Sequence, residues 1–111
     1  MQYLLLIYDK DERWRGGYSP EEMKAYGAFH QQFTNAIKGG NALQQASTAK
    51  TVRVRDGQVL QSDGPFAETK EQLAGFYLVE AATIEEAAAM GAKIPGAQYG
   101  SVEVRPILTF S

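Results

Sequence analysis

Two short segments of the chain are apolar at almost every position. The first runs from Tyr3 to Tyr8 (YLLLIY) and the second from Gly75 to Ala81 (GFYLVEA). The side chains of a strand alternate between the two faces of a sheet, so a strand that is apolar at both alternating positions is buried on both faces. The pattern therefore predicts two strands in the middle of a sheet.

Two capping boxes predict where helices begin. In the segment Ser19–Glu22 the serine can cap the first turn, the proline suits the first helical position, and the glutamate completes the box. The side chains that follow recur every three or four residues, as on one face of a helix: Met23, Tyr26, Phe29, His30, Phe33 and Ile37. We expect this helix to end at Gly39-Gly40, because glycine tolerates the left-handed exit conformation. The segment Thr83–Glu86 predicts a second helix that runs to about Lys93.

The middle of the chain predicts a β-hairpin over residues 50–62. Valines alternate with arginines from Val52 to Arg55, and Asp56-Gly57 follows directly. This dipeptide is a strong hairpin signal, because both central positions of the tight turn need a positive φ.

Three weaker patterns complete the predicted elements. Thr69, with Gln72 three residues later, predicts a short capped helix before the second apolar strand. Residues 42–45 are a candidate short strand, and residues 101–108 are the last strand. Pro106 assigns that strand to an edge of the sheet, because proline donates no ladder hydrogen bond.

The order of these elements, β-α-β-hairpin-β-α-β, predicts an α+β fold: a ferredoxin-like split β-α-β sandwich with an added hairpin. Its two helices can cover only one face of the sheet, although both central strands are apolar on both faces. An open apolar face of that size is rare on a monomer. We therefore expect a homodimer in which two sheets pack face to face. The alternative is that loop residues such as Trp14 cover the face within one chain.

Length and charge restrict the class of protein. The chain has 111 residues, a net charge of -2 and no cysteine. The length suits one domain over residues 1–111. The charge argues against direct nucleic acid binding and against affinity for anionic membranes. Without cysteine there is no disulfide, thiolate nucleophile or zinc–thiolate site. The first apolar segment is too short to cross a membrane, so we expect a cytoplasmic protein.

His30 and Asp63 are the candidate catalytic residues. His30 is the only histidine and lies in the apolar stripe of the first predicted helix. Because histidine titrates near neutral pH, His30 is a candidate general acid or base in a cavity between helix and sheet, with Asp63 to orient it or to face a ligand. The alternatives are structural: a histidine at the edge of the core, and an aspartate that caps the Asp-Gly-Pro turn. Residue type alone favours the structural alternatives.

An aromatic pocket for a planar ligand is a second candidate site. Its ligand-binding residues would be Tyr8, Tyr26, Phe66 and Tyr77, and the alternative is an aromatic core. One histidine and scattered carboxylates assemble no metal site, and no glycine-rich phosphate loop is present. We therefore expect neither a metal nor a cofactor.

Charged residues form two further candidate clusters. A polar cluster at the mouth of a cavity, or else a solvated short helix, would contain Glu68, Lys70 and Glu71. A cationic cluster that grips an anionic ligand across a dimer would contain Arg53, Arg55 and Arg105. Cross-strand pairing of these arginines with acidic neighbours is the alternative.

Four segments carry a family resemblance: YLLLIY at the start, SPEEM at the first helix cap, STAKTVRVRDGQVLQSDGPFAETKEQLAGFYLVE in the middle and GSVEVRP at the end. With them the chain resembles the DGPF-motif branch of the YCII-related family, within the dimeric α+β barrel superfamily. The resemblance implies a ferredoxin-like protomer, a homodimer and a small-molecule ligand between helices and sheet. It also implies a sigma-factor partner and a regulatory role, because some members are linked to extracytoplasmic-function sigma factors.

The chain departs from the family pattern at two places. Ala74 stands where members usually have glycine, and Gln44-Gln45-Ala46 stands where they often have prolines. Related YCII-type proteins have been suggested to use a His–Asp pair. Alignment on the helix-ending glycine brings their histidine closer to Phe29 than to His30.

Three functions of different classes follow. The first, which we prefer, is a small-molecule-binding or regulatory homodimer without catalysis. The second is an enzyme whose cavity holds His30 as acid or base and Asp63 as its orienting group. The third is a structural or interaction module whose interior is solid core. A cavity with polar groups in its lining would separate the first two from the third.

Overall fold

The computed structural model describes residues 1–110 and has the predicted α+β fold. The strands are β1 (Gln2–Asp9), β2 (Ile37–Ala42), β3 (Lys50–Arg55), β4 (Gln58–Asp63), β5 (Gln72–Glu80) and β6 (Ser101–Pro106). The helices are α1 (Asp11–Trp14), α2 (Pro20–Gln32) and α3 (Ile84–Gly91). Four strands form an antiparallel sheet in the order β2-β5-β1-β6, and β3 pairs only with β4. None of these helices combines the length and the apolar character needed to cross a membrane.

The two apolar segments form the central strands β1 and β5, as their sequences predict. Burial alternates along β1: Tyr3, Leu5 and Ile7 are buried, whereas the residues between them are only half-buried. The buried set packs under the helices with residues from the other elements: Phe29, Tyr77, Val79, Ala87, Met90 and Ile94. The core therefore lies on one face of the sheet, between the central strands and the helices.

The other face of the sheet has no helix on it, and we call it the open face. Its residues, which alternate with the buried ones and pair across the central strands, are Leu4, Leu6, Tyr8, Phe76 and Leu78. On the neighbouring edge strand, Glu103 and Arg105 lie opposite Leu6 and Leu4 and form an ion pair. The open face is thus an apolar centre with charged groups at one edge.

Both predicted helix caps are confirmed. The Ser19 hydroxyl accepts a hydrogen bond from the Glu22 amide at 3.1 Å, and the Thr83 hydroxyl accepts one from the Glu86 amide at 3.2 Å. Each bond satisfies an amide that has no partner inside its helix.

The hairpin is also confirmed, and it stands apart from the main sheet. Asp56 and Gly57 have φ values of 51° and 75°, which form the tight turn between β3 and β4. Along these two strands every residue except Thr51 is exposed. The radius of gyration is 15.7 Å, compared with about 13 Å expected for a compact chain of this length. We infer that the hairpin extends away from the core.

The first helix is shorter than predicted, and the glycine pair does not end it. The helix α2 ends at Gln32, and Gly39-Gly40 lies inside β2, which also replaces the strand predicted at residues 42–45. A Cβ atom on Gly40 would lie 2.5 Å from the Phe76 carbonyl oxygen and 2.8 Å from the Tyr77 ring. The glycine therefore serves a close approach of two strands instead of a helix exit.

One other local prediction is wrong, and one short helix was not predicted. The segment with Thr69 and Gln72 is not a helix: the Thr69 hydroxyl donates to the Glu71 carbonyl, and the Gln72 amide donates to the Ala67 and Thr69 carbonyls. These side-chain bonds build an irregular turn, and Gln72 already belongs to β5. The loop after β1 contains the single helical turn α1, which its polar sequence did not indicate.

Gly40→Ala is expected to lower the free energy of unfolding by about 1–3 kcal/mol, because the added methyl group has no space between the strands. Gly27→Ala is the matched control, since a Cβ atom at Gly27 in α2 meets nothing within 4 Å. It is expected to leave stability unchanged or to raise it by about 1 kcal/mol. Urea denaturation of both variants measures the difference, and equal stabilities would refute the close approach at Gly40.

Candidate functional site

A cavity of about 390 Å³ lies between α2 and the strands β2 and β5. Residues of α2, of the loop before it and of three strands line it: Ile7, Tyr18, Met23, Tyr26, His30, Gly40, Asn41, Ala42, Ala74, Gly75, Phe76 and Tyr77. Met23 and His30 are exposed, as are the three lining residues of β2. The mouth of the cavity is therefore the gap between α2 and the edge strand.

The polar centre of the cavity is a hydrogen bond between His30 and Tyr77. The Nε2 atom of His30 lies 2.5 Å from the Tyr77 hydroxyl oxygen, and the two rings are nearly perpendicular with centroids 5.2 Å apart. Tyr26 and His30 are four residues apart on α2, so both side chains lie on the same face of the helix. The spacing along α2 thus turns a phenol and an imidazole toward the sheet.

The tyrosines of the cavity are held in their neutral form. Burial raises the pKa of Tyr77 to about 12 and raises the pKa of Tyr26 further above its ordinary value. Burial and the Glu22 carboxylate raise the pKa of Tyr18. A phenol below its pKa keeps its proton, so the Tyr77 hydroxyl can share one hydrogen bond with His30 Nε2 and still form another with a second partner.

A charged network lies beside Tyr18. Asp9, which is 2% exposed, accepts a hydrogen bond from Arg13 Nε at 2.6 Å, and the Arg13 guanidinium binds both Glu22 carboxylate oxygens at 2.9 Å. The guanidinium also lies 4.1 Å from the centroid of the Tyr99 ring. The bond with Glu22 and the charge of Asp9 raise the pKa of Arg13. The network fixes α1 against the start of α2.

The sequence contains one signal for this network that hydrophobic periodicity does not reveal. Asp9 follows an apolar strand directly, and Arg13 comes four residues later, at the spacing that brings charges together on a helical turn. Tyr18 was missed as well, although it immediately precedes the Ser19 cap and so lies at the beginning of α2.

The predicted site residues fall into two groups. His30, Tyr26 and Tyr77 meet at the cavity. Tyr8 lies on the open face, and Phe66 is 80% exposed in the loop before β5.

Asp63 lies at the end of β4, where its carboxylate accepts a hydrogen bond from Lys50 Nζ at 2.7 Å. The side chains of His30 and Asp63 therefore belong to different hydrogen-bond networks. The roles assigned to them remain predictions.

Three members of the two charged clusters have partners within the chain. Arg105 pairs with Glu103, and the Arg55 guanidinium donates to the Val54 carbonyl. Glu71 accepts a hydrogen bond from the Ser101 hydroxyl at 2.9 Å. Over residues 1–110, no three histidine or acidic side chains lie close enough together to hold a metal ion.

The raised pKa of Tyr77 predicts how stability depends on pH. Below pH 10 the phenol is neutral in both states, but from pH 10 to about pH 12 it ionises only in the unfolded chain. The free energy of unfolding is therefore expected to fall as the pH rises through this range. Tyr77→Phe is expected to make this fall shallower. Tyr99→Phe, at a tyrosine that is 55% exposed, is the matched control and is expected to leave the fall unchanged.

Urea denaturation at pH 8, 10 and 11.5 measures these slopes. The assignment of a raised pKa to Tyr77 would be overturned if wild type and Tyr77→Phe lost the same amount of stability as the pH rises.

Comparison with known proteins gives a family and a fold. The chain matches the YCII-related domain over residues 1–111. It is 37% identical over 118 residues to an uncharacterized protein of Rhizobium meliloti (strain 1021), an alignment that covers 99% of this chain and 94% of the relative.

A solved structure with a similar fold is the 5-chloro-2-hydroxyhydroquinone dehydrochlorinase from Burkholderia phenoliruptrix AC1100, in complex with 2,5-dihydroxybenzoquinone. The TM-score is 0.51, the sequences are 16% identical, and the match covers 97% of this chain and 94% of the other. At this identity the likeness concerns the fold alone. The domain match and the Rhizobium relative give the closer relationship: this chain belongs to the YCII-related family.

Proposed function

We propose that this protein is a homodimer that binds a small molecule in the cavity between α2 and β5. The observation that carries the proposal is the cavity itself: about 390 Å³, lined mainly by apolar and aromatic groups, with a few polar groups at its centre. Ligand pockets in proteins have this size range and this composition. A structural module with a solid interior would have no need for such a space.

The similar fold of the dehydrochlorinase supports the same proposal. That enzyme holds 2,5-dihydroxybenzoquinone, so its fold accommodates a small ring compound. A shared fold does not transfer a reaction, because one fold supports many different chemistries. We therefore take from this comparison a ligand of small size and no chemical step.

The homodimer is proposed because of the open face. Leu4, Leu6 and Leu78 form an apolar surface on the side of the sheet that carries no helix. A surface of this kind is rarely left in water, and the same face of a second copy matches it in polarity.

Leu6→Lys is expected to convert the dimer into a monomer, because it places a charge in the centre of the proposed interface. Ala88→Lys is the matched control, since Ala88 is exposed on α3 and lies outside the open face. Native mass spectrometry at micromolar concentration is expected to record twice the mass of one chain for wild type and Ala88→Lys, and a single chain for Leu6→Lys. A wild-type protein that is monomeric under these conditions would exclude the proposed dimer.

A sigma-factor partner is part of the regulatory form of this proposal. Its support is the resemblance of the segment around Asp63–Phe66 to the DGPF branch of the family. The hairpin offers a surface for a protein partner, because Val52, Val54 and Val59 are each more than half exposed. Binding of the ligand would then act on the partner through the dimer.

An enzyme is the second candidate function, and the bond between His30 and Tyr77 favours it. The Tyr77 phenol can donate to His30 and accept from a ligand at the same time, which is a route for moving a proton. Asp63, the orienting group predicted from the sequence, is engaged with Lys50. In this candidate Tyr77 would be the group that orients the imidazole.

His30→Ala separates the two candidates. For the test, a ligand that stays bound through purification is identified by mass spectrometry and supplied in large molar excess. A binding protein is expected to return it unchanged, whereas an enzyme would convert it and would lose about 100- to 10,000-fold in rate in His30→Ala. Gln31→Ala, an exposed neighbour on α2, is the control. If wild type and Gln31→Ala convert the ligand and His30→Ala alone loses this activity, the result would favour the enzyme and contradict the binding protein without catalysis.

A further inference from the structure

The lining of the cavity is without formally charged side chains. No lysine, arginine, aspartate or glutamate belongs to the set of described residues that surrounds it. A carboxylate or phosphate that entered would lose its water and find no lysine or arginine to replace it, and the Nε2 atom of His30 is already paired with the Tyr77 hydroxyl. A cationic ligand would likewise find no carboxylate. The lining therefore favours a ligand without net charge.

Three aromatic side chains make the cavity suitable for a flat ligand. Tyr18 and Tyr26 have ring centroids 5.9 Å apart on the helix side, and Tyr77 faces them from β5. At the sheet side the lining residues Ala74 and Gly75 have little or no side chain, which leaves room beside the rings. Aromatic rings pack favourably against one another in stacked or edge-to-face arrangements. A planar aromatic molecule is the shape that these walls fit.

The hydrogen-bonding groups specify the polar part of the ligand. The Tyr77 hydroxyl forms one hydrogen bond with His30 Nε2, and because a hydroxyl has one hydrogen and two lone pairs it can form another with a ligand. A ligand hydroxyl, which can both donate and accept, matches this remaining capacity, whereas a bare hydrocarbon would leave the Tyr77 hydroxyl without a second partner. A buried polar atom left without a partner lowers affinity.

We propose that the cavity selects uncharged planar aromatic molecules with a hydroxyl group, and that this hydroxyl forms a hydrogen bond with the Tyr77 hydroxyl. The inference rests on the proposed function, because it assigns a ligand class to the same cavity. The inference goes beyond the proposed function because it excludes anionic and cationic ligands and names Tyr77 as the residue that binds the ligand hydroxyl.

Four probes test the ligand class: 2-naphthol, naphthalene, 2-naphthoate and a naphthyl trimethylammonium ion. They share one ring system and differ only in the polar group. Titration of the isotope-labelled protein, followed by the amide signals of Gly40, Asn41 and Tyr77, gives the affinity at the cavity. We expect 2-naphthol to bind at least tenfold more tightly than each of the other three.

Each outcome has a distinct meaning. Equal or tighter binding of 2-naphthoate or of the ammonium ion would overturn the uncharged class, and equal binding of naphthalene would overturn the role of the hydroxyl. In these cases the cavity would still be a binding site, so the proposed function would survive. If none of the four probes moved the cavity signals, the proposed aromatic ligand class would be overturned.

Tyr77→Phe tests whether Tyr77 forms a hydrogen bond with the ligand hydroxyl. The variant is expected to bind 2-naphthol roughly 3- to 10-fold more weakly, the effect of one hydrogen bond, while its affinity for naphthalene stays the same or rises. Tyr99→Phe lies outside the cavity and is expected to bind both probes as wild type does. An equal loss of affinity for naphthol and naphthalene in Tyr77→Phe would assign Tyr77 a structural role only and would overturn the proposed contact.

Discussion

The antiparallel pairing of β1 with β5 is the constraint on which the rest of the structure depends. Leu5 pairs with Tyr77 and Leu6 with Phe76, so the register decides which side chains of both strands face the helices. A slip by one residue would turn Tyr77 to the open face and Phe76 toward α2. The bond between His30 and Tyr77 exists only because this register holds.

The cavity and the core are two ends of the same helix–sheet layer. Large side chains such as Phe29, Met90 and Ile94 fill the space where the helices pack on the central strands. Toward the outer strand β2 the residues are small, and Gly40 and Gly75 allow the two backbones to approach closely. Small residues on the sheet, among them Gly40, Ala74 and Gly75, leave space between α2 and the strands β2 and β5. The fold therefore leaves a cavity where its core stops.

Features that depend on neighbouring residues could be predicted from the sequence, whereas features that depend on contacts between distant residues could not. The caps at Ser19 and Thr83 each depend on residues within four positions, so the pattern contains all the information needed. Gly39-Gly40 lies in a strand because β5 approaches closely, and the sequence does not show this approach. A glycine pair suits the end of a helix equally well. The partner of His30 is 47 residues away in the chain, beyond any spacing argument. Tyr26 and Tyr77 were predicted as ligand-binding residues from their type, whereas Tyr18 required the fold.

The central claim is that the cavity between α2 and β5 is the site that holds the ligand. Isotope-filtered nuclear Overhauser spectra of the labelled protein with 2-naphthol test it most directly, since they identify the protons in contact with the probe. We expect contacts from the naphthol ring to the Met23 methyl group and to the rings of Tyr26 and Tyr77. Contacts confined to the valines of the hairpin, or to the leucines of the open face, would contradict it.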